Sequence, residues 1–496
     1  MTHSKSSVYV LAVVILAVLA VAGCSGSSPN PGPTLTPTPN PSPTPNPSPS
    51  PTLQSSVNHV LIMFQENRSF DHYFGFMTQY RQKNNIPINS ADGKIRDLSD
   101  PAAQAAGARN ISPATGQAIM PYHTGSVCTE DLTPDWADSH HEMDRNNPAA
   151  AGTSSPMDGF VAEAYGISNF FGPGVLADTD GHRAMGIFDD SQLNFYYATA
   201  SNFAMSDAFY SPVPTRTSSN RLYIHAATSH GTVHADTSLT AQLPSKTIWR
   251  ALSDANLSWK IYVSDWGTNN FTFFQFFSDY NDPNLQKNVV PIAQYFTDVQ
   301  NGTLPAVAFI ETGMNTGRDE HPTNNPTDAP VPISQAINVQ AGAAWSAQII
   351  NALMFSPSWK DSVFFWMFDE GGGAFDHEPP ISVPNPDGIK PTDFNTSTDC
   401  FGQPCSSFDF DITGFRIPNF IVSPFAKKHY VSHTPMDYTA VLRFVEARFN
   451  LPPLTKRDAF MPDMTEFFDF TNGGPWATPP PKVTQNSGAT CDFTKE

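Results

Sequence analysis

The adjacent carboxylates Asp369 and Glu370 end an apolar run, Val363 to Phe368, and are followed by Gly371-Gly372-Gly373 and then Asp376-His377. Paired carboxylates at a strand end, with glycines that let backbone approach closely, suit a hard cation with substrate beside it. A solvated acidic turn is the plainer alternative for that segment alone. A second run, Val60 to Phe64, ends in Gln65-Glu66-Asn67 and adds a carboxylate and an amide oxygen. Oxygen-rich ligation with little sulfur favours Mg²⁺, Ca²⁺ or Mn²⁺, with iron or zinc if histidine joins. The expected cofactor is therefore one or more divalent metal ions of open identity. Between these pairs lies Thr215-Arg216-Thr217-Ser218-Ser219-Asn220-Arg221. A hydroxyl is a poor nucleophile near neutral pH unless a base or metal lowers its pKa, so a Thr or Ser beside a carboxylate-bound metal is a workable phosphoryl acceptor. Arg221, preceded by Asn220, can grip phosphate oxygens in bidentate fashion. Two more clusters, Asp138-Ser139-His140-His141 and Asp319-Glu320-His321-Pro322, offer histidines to bind metal, stabilise a transferred phosphate or protonate a leaving group.

Something must hold these residues together. Four short runs, Val60 to Phe64, Ala306 to Ile310, Val363 to Phe368 and Phe420 to Val422, are apolar at consecutive positions and end in acidic or polar loops. That pattern marks strands buried on both faces. Helix-compatible stretches such as Ala341 to Phe355 and Tyr438 to Phe449 lie between and after them. Strands alternating with helices predict an α/β fold, a mostly parallel central sheet covered by helices on both faces. Ligands then bind beyond the carboxyl ends of the strands, where Glu66, Asn67, Asp369 and Glu370 fall.

A formal net charge of -19 leaves too few cations to neutralise nucleic-acid phosphates, so nucleic acid is not an expected partner. Lys5 and the unbroken apolar run of 15 residues from Val8 to Ala22 read as an export signal, too short for an ordinary membrane span. The run ends in Val21-Ala22-Gly23-Cys24, similar to a bacterial lipobox in which Cys24 receives lipid and anchors the protein to the cell envelope, facing the periplasm or the exterior. Ser25 to Thr52 holds 11 prolines and only Leu35 as an apolar residue, so it can bury no core. In polyproline II form it reaches roughly 80 Å. The expected organisation is a signal over 1–24, a tether over 25–54, one catalytic domain over 55–470 and a tail over 471–496. Removing Cys24 leaves Cys128, Cys400, Cys405 and Cys491, enough for two disulfides. Cys400 with Cys405 and Cys128 with Cys491 is one of three connectivities open to the sequence.

The motifs occur in an order that resembles the family of bacterial phospholipases C and acid phosphatases, related in fold to alkaline phosphatase. The resemblance rests on Glu66-Asn67-Arg68-Ser69-Phe70-Asp71-His72-Tyr73-Phe74-Gly75, then Met157-Asp158-Gly159-Phe160, Asp207-Ala208-Phe209-Tyr210, Thr217 through Tyr223, Asp319-Glu320-His321-Pro322, Phe368-Asp369-Glu370-Gly371-Gly372, Gly414-Phe415-Arg416-Ile417-Pro418 and Leu442-Arg443-Phe444-Val445-Glu446. It implies an alkaline-phosphatase-like fold, metal ligation by Glu66, Asn67, Asp369 and Glu370, and Thr217 as the nucleophile that forms a phosphothreonine. It implies acid catalysis or phosphate contact near His140, His321 and His377. The substrate it implies is a phospholipid of the phosphatidylcholine type, cleaved to diacylglycerol and a phosphorylated head group, or alternatively a small phosphomonoester, as in an acid phosphatase. A surface lipoprotein that binds without hydrolysis is a third reading, disfavoured by the intact Glu-Asn, Thr and Asp-Glu set. The chain departs from the family where Thr215-Arg216 replaces Gly-Pro before the nucleophile, where Ser219 replaces a proline after it, and where Asp437-Tyr438-Thr439-Ala440 replaces Asp-His-Thr-Ser.

Overall fold

Seven consecutive side chains of Ser362–Phe368 and five of Val307–Glu311 are buried, as strands covered on both faces require. The computed structural model describes residues 51–172, 175–234, 242–268, 270–323, 336–393, 395, 397–399 and 409–496. The signal, Cys24, nearly all of the tether, Cys400 and Cys405 lie outside the described residues. Eight strands form the central sheet: β1 (His59–Gln65), β2 (Ala204–Ser206), β3 (Trp259–Val263), β4 (Val289–Pro291), β5 (Val307–Glu311), β6 (Ser362–Phe368), β7 (Asn419–Val422) and β8 (Tyr430–Ser432). Their order across the sheet is β8-β2-β7-β6-β1-β5-β3-β4. The four strands read from the sequence are thus the neighbours β7-β6-β1-β5 at its centre.

β7 departs from the parallel expectation, running antiparallel to both β6 and β2. It enters from the carboxyl rim because Arg416, just ahead of it, is fixed there by ion pairs to Asp71 and Asp376. All other pairings in the sheet are parallel.

Successive residues of a strand face opposite ways, and both faces are covered. On β6, Phe365 meets Phe444 of helix Thr439–Phe449, whereas its neighbour Trp366 packs on Tyr196 of helix Asn194–Asn202, with ring centroids 5.1 and 4.2 Å apart. Tether and core meet at Leu53–Ser56, a helical turn capped by Thr52 with Leu53 buried. The tail returns to the body: Gly125 donates to the Lys495 carbonyl at 2.9 Å, and Glu130 donates its N–H to the Glu496 side chain. That return brings the thiols of Cys491 and buried Cys128 within hydrogen-bonding reach of one another. Among the described residues, no helix is long and apolar enough to cross a membrane.

Candidate active site

Register places the carboxylates. Gln65 pairs with Phe368 and Met63 with Ile310, so Glu66, Asp369 and Glu311 leave three neighbouring strands at nearly one level of the carboxyl rim. The loops after β1 and β6 then lock together. Asn67 donates its backbone N–H to Asp369 Oδ1 at 3.0 Å, and Arg68 donates its own to the Glu370 carbonyl at 3.0 Å. Asn67 and Glu320 both hold left-handed backbone, at φ 59° and 70°. Non-glycine residues adopt that conformation at a cost, and such positions concentrate at working sites.

Thr217 opens helix Thr217–Ala226, whose first turn carries no side-chain cap and so leaves backbone N–H groups facing outward. Its Oγ1 lies 3.1 Å from both Glu66 Oε2 and Asn67 Oδ1. The Asn67 amide continues the chain of contacts, with Nδ2 at 2.9 Å from His321 Nε2, while His321 Nδ1 donates to the Pro322 carbonyl at 2.7 Å. Burial disfavours the His321 cation, but the carboxylates of Asp131, Glu66 and Asp319 outweigh it and hold its pKa above the ordinary value. In its neutral form the ring accepts a hydrogen bond from the Asn67 amide on Nε2. Glu66, Thr217, Ser218 and His321 line a cavity of about 320 Å³ together with Phe271, Phe273, Gln275, Phe276 and Met314.

Arg221 sits beneath this cavity rather than in it. Its guanidinium reaches Glu66 at 2.5 Å, Asp369 at 3.1 Å and Glu311 at 3.4 Å, wedged between the rings of Phe64 and Phe273. The group given to phosphate by the sequence reading is committed to three carboxylates. Asn220 is likewise consumed locally: its amide donates to the Thr215 carbonyl at 2.6 Å and accepts from Val213 N–H at 3.1 Å, shaping the turn before Thr217. His377 is buried and donates from Nδ1 to Asp71 at 2.6 Å, and it does not line the Thr217 cavity. His140 donates from Nδ1 to the Trp136 carbonyl at 2.7 Å, and burial brings its pKa down to about 4, so its Nε2 carries no proton at neutral pH.

The donor set fits a divalent cation. Of four buried carboxylates, Glu66, Glu311 and Asp369 share the Arg221 guanidinium, and Glu370 has no ion pair among the described residues. Burial, with Glu66 second, pushes Asp369 up to about 7, and burial followed by Asp369 holds Glu370 well above the usual range. Glu370 Oε2 accepts from the Gly372 N–H, leaving Oε1 buried and unpartnered. Uncompensated hard oxygens in this number call for protons or a cation. Among the described residues, the groupings whose ligand atoms already lie close enough together to hold an ion are two Asp/His sets elsewhere, and their partners are already chosen. In Asp71/Asp376/His377 the Arg416 guanidinium supplies the positive charge. In Asp178/Asp180/His182, Asp178 is taken up by backbone N–H groups and by Arg183 at 2.7 Å.

Sequence reasoning passed over Glu311, although it ends an apolar run as Glu66 and Asp369 do. It also assigned no role to Asp131 and Glu142, which bear electrostatically on Glu370, or to the phenylalanine wall, visible as Phe271-Thr272-Phe273-Phe274-Gln275-Phe276-Phe277.

The Phosphoesterase family pattern matches residues 57–452. The chain belongs to the Phosphoesterase family. Its similarity to named relatives runs through the same region. Non-specific phospholipase C1 of Arabidopsis thaliana is 27% identical over 438 residues, covering 84% of this chain and 72% of the relative. Phospholipase C B of Mycobacterium tuberculosis is 27% identical over 459 residues, covering 84% and 78%. Among solved structures, a protein in the Alkaline Phosphatase Superfamily from Vibrio parahaemolyticus superposes at TM-score 0.32 with 9% identity, covering 73% of this chain and 77% of that one. As a member of the Phosphoesterase family the protein is a phosphoric ester hydrolase.

Proposed function

We propose that this phosphoesterase is a metal-dependent phospholipase C that cleaves phosphatidylcholine-type lipids, with Thr217 as nucleophile. The observation that carries the reading is the Thr217 hydroxyl, 3.1 Å from Glu66 and Asn67, at a helix N-terminus in a cavity lined by polar and aromatic side chains. The names of the similar proteins support the lipid substrate. A divalent ion held by Glu66, Asn67, Asp369 and Glu370 would supply positive charge against the phosphate and lower the pKa of the Thr217 hydroxyl.

Glu66 Oε2 takes the Thr217 proton as Oγ attacks phosphorus and the bond from phosphorus to the glycerol oxygen breaks. The departing diacylglycerol oxygen takes its proton from His321, whose carboxylate neighbours favour the charged form. The outward N–H groups at the helix start stabilise the phosphoryl oxygens. Water then attacks the phosphothreonine, gives its proton to His321 and releases the phosphorylated head group, while the Glu66 proton returns to Thr217. Lipidation at Cys24 and the proline-rich tether would hold the enzyme at the bacterial envelope, next to its substrate.

The deciding experiment follows product from phosphatidylcholine and from p-nitrophenyl phosphate, with Thr217→Ala and chelated protein alongside. Diacylglycerol released by the native protein and reduced by at least about a thousandfold in Thr217→Ala is the expected result. Turnover of the monoester alone makes the enzyme an acid phosphatase instead. Undiminished lipid turnover in Thr217→Ala removes the threonine mechanism.

A further inference from the structure

The aromatic lining of the cavity continues outward to the protein surface. Phe273 and Phe276 are buried, Phe271 is half-buried against both at centroid distances of 5.0 and 5.9 Å, and Met314 beside them is 37% exposed. Trp266, 44% exposed, follows Asp265, which is hydrogen-bonded to the loop that carries Met314. Large apolar side chains left in water on adjoining loops ask for a partner.

These residues belong to two loops that the structure fastens together. Asp265 accepts the Asn315 N–H at 2.7 Å through Oδ2 and the Thr316 hydroxyl at 3.1 Å through Oδ1. Glu311, which pairs with Arg221, also accepts the Thr272 hydroxyl at 2.7 Å and the Phe273 N–H at 3.1 Å. The rim is therefore rigidly tied to the carboxylate site by one side chain. Its charge is equally particular: in a protein of net charge -19, residues 264–277 carry Asp265 alone and residues 312–317 carry no charge. Asp265 is itself buried by the hydrogen bonds just described.

We infer that this rim, Trp266 and Met314 outermost, is the surface that docks on a lipid bilayer of zwitterionic or neutral head groups, with Phe271 and Phe276 receiving the apolar end of the substrate as its phosphate reaches Thr217. The inference rests on the phospholipase reading. Chemistry fixes the occupant: an ester whose phosphorus sits at Thr217 has one substituent against the phenyl rings, and the two fastened loops that carry those rings, Met314 and the exposed tryptophan hold no charge but that of buried Asp265. The acidic body would be repelled by an anionic surface, whereas an uncharged rim meets a neutral one without that cost.

The test uses the full chain with Thr217→Ala, metal removed, so that binding is read without turnover. On vesicles of phosphatidylcholine brominated in its acyl chains, tryptophan emission is quenched, and the component lost in Trp266→Phe identifies the rim. Equal quenching in both proteins, or none in either, overturns the inference. In the active enzyme, the ratio of turnover on long-chain vesicles to turnover on a dissolved short-chain phosphatidylcholine falls about tenfold in Trp266→Asp. It stays within about twofold in Phe460→Asp, a 61% exposed residue on helix Lys456–Phe460 that serves as control. An unchanged ratio in Trp266→Asp also overturns it. Absence of phospholipid turnover in the native enzyme removes the phospholipase reading separately, since the quenching needs no catalysis.

Discussion

A β-carbon on Gly372 would lie 2.1 Å from the carbonyl oxygen of Asn67. The loop after β6 and the loop after β1 are in backbone contact there, and Gly372 adds a left-handed φ of 67° that side chains resist. Asn67 has no room to yield, because its N–H is held by Asp369 and its amide spans Thr217 and His321. Gly372→Ala is expected to lower kcat at least tenfold and to cost about 2 kcal/mol of stability. Gly388→Ala, at φ 81° with open space around its β-carbon, carries only the backbone strain and leaves turnover intact. Native-like kcat in a folded Gly372→Ala protein would refute the backbone-contact account.

Among the described residues, Arg221 is the sole guanidinium paired with Glu66, Glu311 and Asp369, all buried. Removing one partner of a buried ion pair leaves uncompensated charge and costs about 3–5 kcal/mol. Arg221→Met should therefore lower Tm sharply in chelator, and a divalent cation should restore more of that loss than it adds to the native protein. The cation should also stabilise the native protein, by about 2.7 kcal/mol at a hundred times its Kd. Thermal melts with and without Mg²⁺, Mn²⁺, Ca²⁺ or Zn²⁺ check both statements. Indifference of both proteins to every ion would speak against a metal site here.

The same residues mark what was legible beforehand. Glu66 and Asp369 stood out because each ends a continuous apolar run, and such runs belong to strands with both faces covered. Strands of three residues such as Ala204–Ser206 and Val289–Pro291 are too short to carry a period, so the sheet's flanks were not read. Arg221 was given to phosphate on the chemistry of its side chain. Its real partners end three strands and lie 90 to 155 residues away from it along the chain, and only the register brings them together. Asn220 folds back onto its own loop, which no residue type announces. The phenylalanine segment was visible, but its place in the Thr217 cavity depends on Glu311 holding it there.

Glu320 gives a test by pH. It is fully buried, accepting from Tyr73 at 2.7 Å, Gln65 at 2.7 Å and the Tyr196 hydroxyl, and burial outweighs these donors to push its pKa up to about 7. The unfolded value is near 4.5. A raised folded-state pKa means stability that is fully present below about 4.5 and is lost as pH rises through about 7, by up to about 3 kcal/mol. Glu320→Gln removes this proton, so its stability should fall less than that of the native protein over that window. Denaturant midpoints at pH 5 and pH 8 provide the comparison, and parallel pH dependence of the two proteins contradicts it.

The C-terminal tail supplies the last test. Cys491 approaches Cys128 because the backbone contacts of Gly125 with Lys495 and of Glu130 with Glu496 draw the tail against residues 124–130. Cys128 itself lies near Arg68, whose guanidinium holds the Glu320 carbonyl at 2.8 Å and the Thr129 hydroxyl at 2.5 Å. In an oxidising compartment the pair is expected to form a disulfide, stabilising the fold by about 3 kcal/mol through the shorter reach of the unfolded chain. A non-reducing peptide map of protein produced in an oxidising compartment should contain the Cys128–Cys491 cross-link, and Cys491→Ser should lower Tm in oxidised samples only. Because the strap also supports the loop behind Arg68, Cys491→Ser should lower Tm by more than an equivalent loss at the tip of an open loop. A map in which Cys128 stays free, with Cys491 joined elsewhere, would exclude this pairing and with it the predicted difference between oxidised and reduced protein.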